Sequence, residues 1–248
     1  MNAHMKLGKL APQYDPRVPH LSKHMRMMQP APAVDWTKPV KAFSMLANNR
    51  AGDCTAVGCL NLLRTWYANN GFDYEPTDND ALSLYSATSD YPKEDNGAVE
   101  ATVLKYWSQH GIQTSFGTDR IAYAALNHLD LNELKLSIQL FGGCYLGVAL
   151  PLTAQTQDEI WDVVPEASDE IAAPGTWGGH CVVALAYDPD YVIVVTWGKL
   201  LKVTPAFLQK YLDESWSVIS NDWLANSGIS PSGLNMAGLR ADLAAITG

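Results

Sequence analysis

The sequence predicts an α+β fold in which a helical first half packs on an antiparallel β half. Apolar residues recur at three- and four-residue steps in the first half of the chain, as in amphipathic helices. The second half instead contains short runs of β-branched and apolar residues that are separated by turn residues. With 248 residues, 47% of them apolar and 17% charged, the chain is long enough to bury a core of this kind.

Residues 1–40 differ from the rest of the chain and are predicted to form an extended basic arm. They contain six of the 14 prolines and a formal charge of +4, whereas the remaining 208 residues carry −13. Proline excludes a long helix here, and no alternating pattern indicates a central strand. Two interpretations stay open: the arm wraps the acidic body of its own chain, or it docks on a neighbouring subunit. Residues 41–248 are predicted to form one domain.

The best-defined predicted helix begins at Cys54 and ends at Asn70. Val57, Leu60 and Leu63 share one face, and the sequence Asn69-Asn70-Gly71 is typical of a helix C-terminus. Further helices are predicted at Leu82–Tyr85 with Asp78 or Asp80 as the N-cap, at Ala98–His110, at Leu131–Phe141, after Pro205, and at 234–246.

Four strands are predicted in the second half, where apolar runs are rich in valine and isoleucine. The sequence Asp188-Pro189-Asp190 is typical of the turn that joins the middle pair. The predicted strands are Cys144–Leu150, Cys181–Tyr187, Tyr191–Trp197 and Trp216–Ile219.

One cysteine and one histidine stand out as candidates for nucleophilic chemistry. Cys54 lies in the first turn of its helix, after the flexible Ala51-Gly52-Asp53, where the helix dipole favours a thiolate. His180 follows Gly178-Gly179 at the start of an apolar strand, so a substrate could approach it closely. A cysteine and a histidine 126 residues apart fit a helix and a sheet that meet at a cleft, with the histidine as base.

The other cysteines and histidines have simpler interpretations. Four cysteines without a CxxC pair predict reduced thiols, and Cys59, Cys144 and Cys181 are expected in the core. Asp53 is expected to cap the helix that follows it. We expect no metal and no other cofactor, because the histidines lack metal-ligand spacing: His4, His20 and His24 lie in the arm, and His110 and His128 lie near the ends of elements.

Composition also limits the classes of partner. A net charge of −9 argues against specific nucleic-acid binding, which needs a basic face. No stretch approaches the roughly 20 apolar residues that cross a membrane, and the first thirty residues lack a signal-peptide core. We therefore expect no membrane partner and no export by a signal peptide.

Several segments together resemble the papain-like cysteine peptidases, over roughly residues 40–220 and in the same order. The segment NNRAGDCTAVGCL resembles the nucleophile segment of that family, GGHCVVALAYD its histidine strand, VVTWGKL its Asn-Ser-Trp-Gly stretch, and VEATVLKYWSQHGI the helix that precedes its "GI" turn. The resemblance implies a papain-like fold with a central nucleophile helix.

A narrower resemblance is to papain-like proteins encoded by tailed bacteriophages and prophages. It combines an amino-terminal KLGKL with GDCTA, VLKYW followed by HGI, and TWGK. This resemblance implies a location in the cytoplasm of a bacterial host, with incorporation in the virion as a further option.

The papain-like resemblance also implies roles for individual residues. Cys54 matches the nucleophile and His180 the general base, while Asn48 replaces a glutamine that donates to the oxyanion. Val195 stands where the family has the asparagine that orients the imidazole. Another acceptor, such as a carbonyl, a water or Asp188, could hold the ring; the site could work weakly without one; or it could be a relic.

Three functions follow from these observations. The first is a phage- or prophage-encoded thiol hydrolase that cleaves peptide or other amide bonds through an acyl-enzyme on Cys54, with His180 as base. The alternative is a catalytically degenerate virion structural protein of the head, neck or tail, docked to phage structural proteins through residues 1–40. A transferase or deamidase that uses the same cysteine is not separable from the first by sequence.

Overall fold

The computed structural model describes residues 5–13, 15–24, 28–226 and 235–247. The described helices are α1 Leu21–His24, α2 Cys54–Asn69, α3 Asp78–Thr88, α4 Glu100–His110, α5 Leu131–Phe141, α6 Asp169–Ala172, α7 Pro205–Tyr211, α8 Asn221–Asn226 and α9 Met236–Thr247. A 3₁₀ helix spans Leu152–Thr156.

The described strands are β1 Val34–Asp35, β2 Ile112–Thr114, β3 Gly117–Asp119, β4 Ile121–Ala125, β5 Cys144–Leu150, β6 Ile160–Trp161, β7 Gly178–Tyr187, β8 Val192–Thr196, β9 Lys199–Val203 and β10 Leu212–Ser220. One sheet has the order β4-β10-β5-β7-β8-β9-β6, and β1 pairs with the end of β7 beyond β5. Its pairs are antiparallel except for β6 with β9, whereas β2 and β3 form a separate hairpin. The predicted α+β fold is therefore confirmed.

Helix α2 is the central helix of the molecule and packs against β7. It is buried from Cys54 to Trp66, and the polar side chains of Thr55, Asn61, Arg64 and Thr65 are buried together with the apolar ones. The Tyr145 hydroxyl of β5 donates to the Thr55 carbonyl oxygen at 2.7 Å, and the Trp66 indole donates to the Phe141 carbonyl oxygen at 2.8 Å. The first contact fixes the N-terminus of α2 against β5 in the middle of the sheet, and the second fixes the C-terminal part of α2 against the end of α5.

Several predicted boundaries were wrong for local reasons. Helix α3 is longer than predicted, because Thr77 rather than Asp78 or Asp80 is its N-cap and forms a reciprocal capping box with Asp80. Helix α4 begins at Glu100 rather than Ala98, since the Ala98 backbone pairs with the arm. In the predicted C-terminal helix, Leu234 lies outside the described residues, whereas Leu239 and Leu243 are buried in α9.

The described part of the arm packs on its own chain. Val18 and Leu21 are buried, and the Ala125 amide donates to the Pro19 carbonyl oxygen at 2.8 Å. The Trp36 indole donates to the Ile138 carbonyl oxygen at 2.8 Å and packs edge-on against Trp223. Strand β1 also holds the arm on the body of the chain, because it pairs with β7.

Membrane-spanning helices and metal-ligand clusters are both absent from the described residues. Among them, no helix combines the length and the apolar character that crossing a membrane requires. The described part of the chain likewise contains no cluster of three or more histidine, cysteine or acidic side chains suited to a metal ion.

Candidate active site

Cys54 is the first residue of α2, and its thiol lies against strand β7. The backbone N–H of Cys181 donates to the Cys54 Sγ at 3.4 Å, which places the thiol beside the residue that follows His180. Burial raises the pKa of the Cys54 thiol to about 12, and the carboxyl groups of Asp53 and Glu100 act in the same direction. Burial therefore favours the protonated thiol in this closed arrangement, against the thiolate that the helix N-terminus was expected to favour.

His180 lies on β7 with its imidazole held on two sides. Its Nε2 is 2.8 Å from the Thr196 Oγ1, and its ring stacks on the Trp197 ring at 4.2 Å with an interplanar angle of 12°. Its Nδ1 is buried without a hydrogen-bond partner among the described residues. Burial lowers the pKa of His180 to about 3, so the imidazole is neutral. With Nε2–H donated to Thr196, Nδ1 keeps a free lone pair.

Thr196 holds the imidazole in place of the acceptor that the sequence lacks at Val195. The Val195 side chain is buried in the core, whereas Thr196 faces His180. Asp188 does not hold the ring, because its carboxylate accepts the backbone N–H groups of Asp190 and Tyr191 in the β7–β8 turn. Sequence reasoning missed Thr196, although a hydroxyl immediately before Trp197 was a visible signal.

The β8–β9 turn places the Trp197 ring beneath His180. Trp197 and Gly198 are the two central residues of the turn, and their φ angles are 44° and 74°. Two consecutive residues with positive φ match the twist of a tight antiparallel hairpin. This turn therefore positions both the stacking ring and the Thr196 hydroxyl.

Asn48 and Asp53 lie in the loop that precedes α2. The Asn48 Nδ2 donates to the Ala51 carbonyl oxygen at 3.1 Å, so the amide that was expected to serve an oxyanion is engaged within its own loop. Asp53 occupies the N-cap position of α2, but its side chain makes no capping hydrogen bond, which corrects the expected role. Burial raises the pKa of Asp53 to about 7, although the neighbouring Asn48 amide opposes the shift.

Residues 6–10 of the arm, called here the cleft segment, run between α4 and β7. The Gly8 carbonyl oxygen accepts the Ala98 N–H at 2.8 Å, and the Leu10 N–H donates to the Ala98 carbonyl oxygen at 3.0 Å. On the sheet side, the Lys9 N–H donates to the Gly179 carbonyl oxygen at 3.1 Å. The cleft segment thus bridges the helical and β halves one residue from His180.

The cleft segment also contacts both ends of the candidate site. The Trp197 indole donates to the Lys6 carbonyl oxygen at 3.2 Å, and the Lys6 N–H donates to the Asn48 carbonyl oxygen at 3.0 Å. A Cβ on Gly8 would lie 1.8 Å from the Gly52 carbonyl oxygen, so only glycine fits there. This close passage covers the loop before Cys54.

A groove of about 670 Å³ lies elsewhere on the molecule, between the β1 segment and the β8–β9 edge. Its lining includes Asp35, Tyr187 and Lys202 but neither Cys54 nor His180. An open cavity is therefore a poor guide to the candidate site in this chain, because the cleft segment fills the space beside the thiol.

Comparison with known proteins supports the fold. No family model matches the chain, and no curated protein matches it either. Among solved structures, it is similar to xylellain, a cysteine protease from Xylella fastidiosa, with a TM-score of 0.68 and 14% identity, over 87% of this chain and 96% of that chain. It is also similar to proCathepsin B S9 from Trypanosoma congolense, with a TM-score of 0.62 and 12% identity, over 88% of this chain and 87% of that chain.

A plant enzyme gives the same result. The chain is similar to the cysteine protease CMS1MS2 from Carica candamarcensis, in complex with E-64, with a TM-score of 0.53 and 14% identity, over 77% of this chain and 99% of that chain. These likenesses, together with the central helix on an antiparallel sheet, show that the chain has the papain-like fold.

Proposed function

We propose that the protein is a thiol hydrolase that cleaves peptide or other amide bonds and is held in a latent form by its cleft segment. The observation that supports this most directly is the environment of His180. Thr196 and Trp197 fix the ring, and Nδ1 has no hydrogen-bond partner among the described residues, beside the strand that contacts the Cys54 thiol. General-base catalysis requires an imidazole that is held in one orientation with one ring nitrogen available for the thiol proton.

The reaction follows from these groups. His180 Nδ1 accepts the Cys54 thiol proton as Sγ attacks the substrate carbonyl carbon, and the backbone N–H of Cys54 donates to the oxyanion. The imidazolium then gives its proton to the leaving amine, and the C–N bond breaks to leave a thioester. Water, deprotonated by His180, attacks the thioester, and the thiol recovers the proton as the carboxylic acid is released.

The alternative is a papain-like virion structural protein with an unused cleft. It is supported by Val195 at the family's asparagine position and by the neutral, buried state of both Cys54 and His180. Under this proposal the arm, after release from its own cleft, docks on a phage structural protein. The KLGKL, GDCTA and TWGK segments support a phage or prophage origin for either function, and with it the cytoplasm of a bacterial host.

The test is the pH dependence of Cys54 alkylation, followed peptide by peptide by mass spectrometry. Gly8→Val is used to expel the cleft segment, since a side chain there meets the Gly52 carbonyl oxygen. Ala11→Val, at an exposed position just beyond the segment, is the matched control. Cys144, buried in β5, reports unfolding in the same digests.

A hydrolase predicts that Cys54 in Gly8→Val reacts well below pH 8.5, the pKa of an ordinary thiol, and loses this reactivity in Gly8→Val with His180→Ala. Ala11→Val should react as slowly as the unmodified chain. If Cys54 in Gly8→Val titrates like an ordinary thiol whether or not His180 is present, the hydrolase proposal fails and the structural protein is favoured.

A further inference from the structure

The side chain of Lys9 is buried in the body of the protein although it is charged. Its side chain is only 1% exposed, and lysine is rarely buried without specific partners. The ammonium lies 3.0 Å from Asp213 Oδ2 and 3.0 Å from Glu214 Oε1, and it donates to the Leu10 carbonyl oxygen at 3.2 Å. The Lys9 side chain therefore points out of the cleft segment into a pocket lined by Asp213 and Glu214, called here the acidic pocket.

A third carboxyl group makes the pocket more acidic than one ammonium can balance. Glu100, at the start of α4, is fully buried, and its oxygens have no hydrogen-bond partner among the described residues. Burial raises its pKa well above the ordinary value, and Glu100 is close enough to Lys9 for the two charges to act on each other. Burial alone would lower the pKa of Lys9, but the three carboxyl groups together raise it above its ordinary value.

The walls of the pocket fit a long unbranched side chain. Gly147 of β5 pairs in register with Glu214 of β10, and a Cβ on Gly147 would lie 2.1 Å from the Lys9 Cε. The Trp216 indole donates to the second oxygen of Glu214 at 3.1 Å, which fixes that carboxylate. The absent side chain at Gly147 thus makes room for the lysine stem, and the acids receive its end.

The pocket lies next to the candidate catalytic pair. The Lys9 N–H donates to the carbonyl oxygen of Gly179, which directly precedes His180. Glu100 is close enough to Cys54 and Cys181 to raise the pKa of both thiols. A residue whose backbone pairs with Gly179 therefore places its side chain in the acidic pocket and its main chain beside the thiol.

We propose that this acidic pocket selects substrates with a lysine or arginine side chain, and that Lys9 occupies it as a substitute for substrate in the latent form. The proposal rests on the hydrolase function proposed above. When Lys9 leaves, the buried Glu100 and Glu214 and the partly exposed Asp213 lose the cation beside them, and a carboxylate that stays buried without a partner is costly. A basic substrate side chain replaces that cation, whereas a neutral side chain of the same length does not.

The test uses Gly8→Val in the full chain and peptides that differ only in one side chain. A single lysine is placed in turn at each position around the scissile bond of a peptide with a fluorophore and a quencher. Its matched twin carries norleucine, which keeps the stem and lacks the ammonium. We expect kcat/KM for lysine at one position to exceed that for norleucine at least about tenfold.

Two further variants test whether the acidic pocket causes the preference for lysine over norleucine. Adding Glu214→Gln to Gly8→Val should reduce the lysine-to-norleucine ratio at least about tenfold, because it removes a carboxylate that contacts the ammonium. Asp158→Asn, at an exposed position remote from the pocket, should leave the ratio unchanged. Cleavage with no preference for lysine at any position would overturn the pocket proposal and leave the hydrolase intact.

If no peptide is cleaved, peptide binding distinguishes the hydrolase proposal from the acidic-pocket proposal. Fluorescence anisotropy on the same variant should then show the lysine peptide bound at least about tenfold more tightly than its twin, which would support the pocket while the hydrolase fails. Equal affinities would overturn the pocket proposal.

A second variant covers the case in which Gly8→Val does not fold. Lys9→Ala in the full chain should be stabilised against thermal unfolding by n-butylammonium and not by n-butanol. The unmodified chain should show no such difference between the two additives. The same response of Lys9→Ala to both additives would contradict the pocket.

Discussion

At the scale of single residues, one hydroxyl group decides whether the candidate base is oriented. Thr196 Oγ1 contacts His180 Nε2 at 2.8 Å, on the face of β8 opposite to the buried Val195. A threonine cannot carry the charge of an aspartate or the amide of an asparagine, but its oxygen can accept the ring N–H in the tautomer that is protonated at Nε2. The absence of asparagine therefore does not leave the imidazole free to rotate.

The first prediction concerns this hydroxyl. In the Gly8→Val background, Thr196→Val should lower the reactivity of Cys54 at pH 7 by roughly 10- to 1,000-fold, because loss of the orienting group in related triads costs up to about 10⁴. Thr196→Ser keeps the oxygen and should retain most of the reactivity. The measurement is the rate of Cys54 alkylation. Equal rates in Thr196→Val and Thr196→Ser would show that the contact has no catalytic role.

The second prediction concerns Asp53, a buried acid whose pKa is raised from 3.8 to about 7. The folded protein holds its proton more tightly than the unfolded chain, so stability falls as the pH rises from about 4 through 7. Asp53→Asn should therefore raise the free energy of unfolding by up to about 4 kcal/mol at pH 8 and change it little at pH 4. Urea unfolding at the two pH values measures the difference.

Asp90→Asn, at an exposed position, serves as the control for the removal of one negative charge. It should change the free energy of unfolding by similar small amounts at both pH values. A gain in Asp53→Asn that does not depend on pH would show that the folded protein does not hold the Asp53 carboxyl in its protonated form.

At the scale of elements, the capping hydrogen bonds at the start of α3 determine where the helix begins, and the apolar pattern of the sequence did not predict this position. Helix α3 begins where the Thr77 hydroxyl accepts the Asp80 N–H and the Asp80 carboxylate accepts the Thr77 N–H. The box extends the helix a full turn beyond the apolar stretch at Leu82–Tyr85. Capping chemistry, rather than periodicity, therefore sets this boundary.

The third prediction tests this cap. Thr77→Ala should lower the free energy of unfolding by about 1 kcal/mol, because it leaves N-terminal N–H groups of α3 without an acceptor. Thr77→Ser keeps the hydroxyl and should cost much less. Chemical denaturation of the three proteins gives the comparison, and equal loss in Ala and Ser would show that the methyl group matters instead.

At the scale of the whole molecule, the basic arm and the acidic body meet in specific contacts. Lys9 pairs with Asp213 and Glu214, and Lys6 lies 3.8 Å from Asp95. Farther along, Trp36 anchors the arm against Trp223 and the Ile138 carbonyl oxygen. Lys6 and Lys9 of the arm thus pair with carboxylates of the body, whereas Arg17 pairs with Asp15 within the arm.

The fourth prediction follows from the position of the cleft segment between the two halves. The Ala98 amide donates to the Gly8 carbonyl oxygen and is expected to exchange slowly with deuterium. Gly8→Val should abolish this protection while amides in the β5–β7 pairing keep theirs. Hydrogen exchange read by mass spectrometry distinguishes the two regions. Unchanged protection at Ala98 would mean that the cleft segment remains in place.

Much of the fold was predictable because the relevant signals are local. Helix α5 and strand β5 have the predicted bounds, and α2 differs by one residue, since each has a regular apolar pattern that neighbouring residues carry. Strands β4 and β9 were missed. Their short sequences have little pattern of their own, and pairing with β10 and β8 makes them strands.

The candidate site likewise contains some features that the sequence predicted and others that it did not. Cys54 and His180 were identifiable from residue type, flanking glycines and predicted elements. Three features could not be identified from the sequence: Thr196 as the partner of His180, Lys9 as the occupant of the acidic pocket, and the protonated thiol of Cys54. Each depends on contacts between residues far apart in the chain, such as Lys9 with Asp213, and on the burial those contacts create. Local sequence specifies periodicity and turns, whereas desolvation and long-range contact exist only in the folded chain, and here they set the charge state of the site.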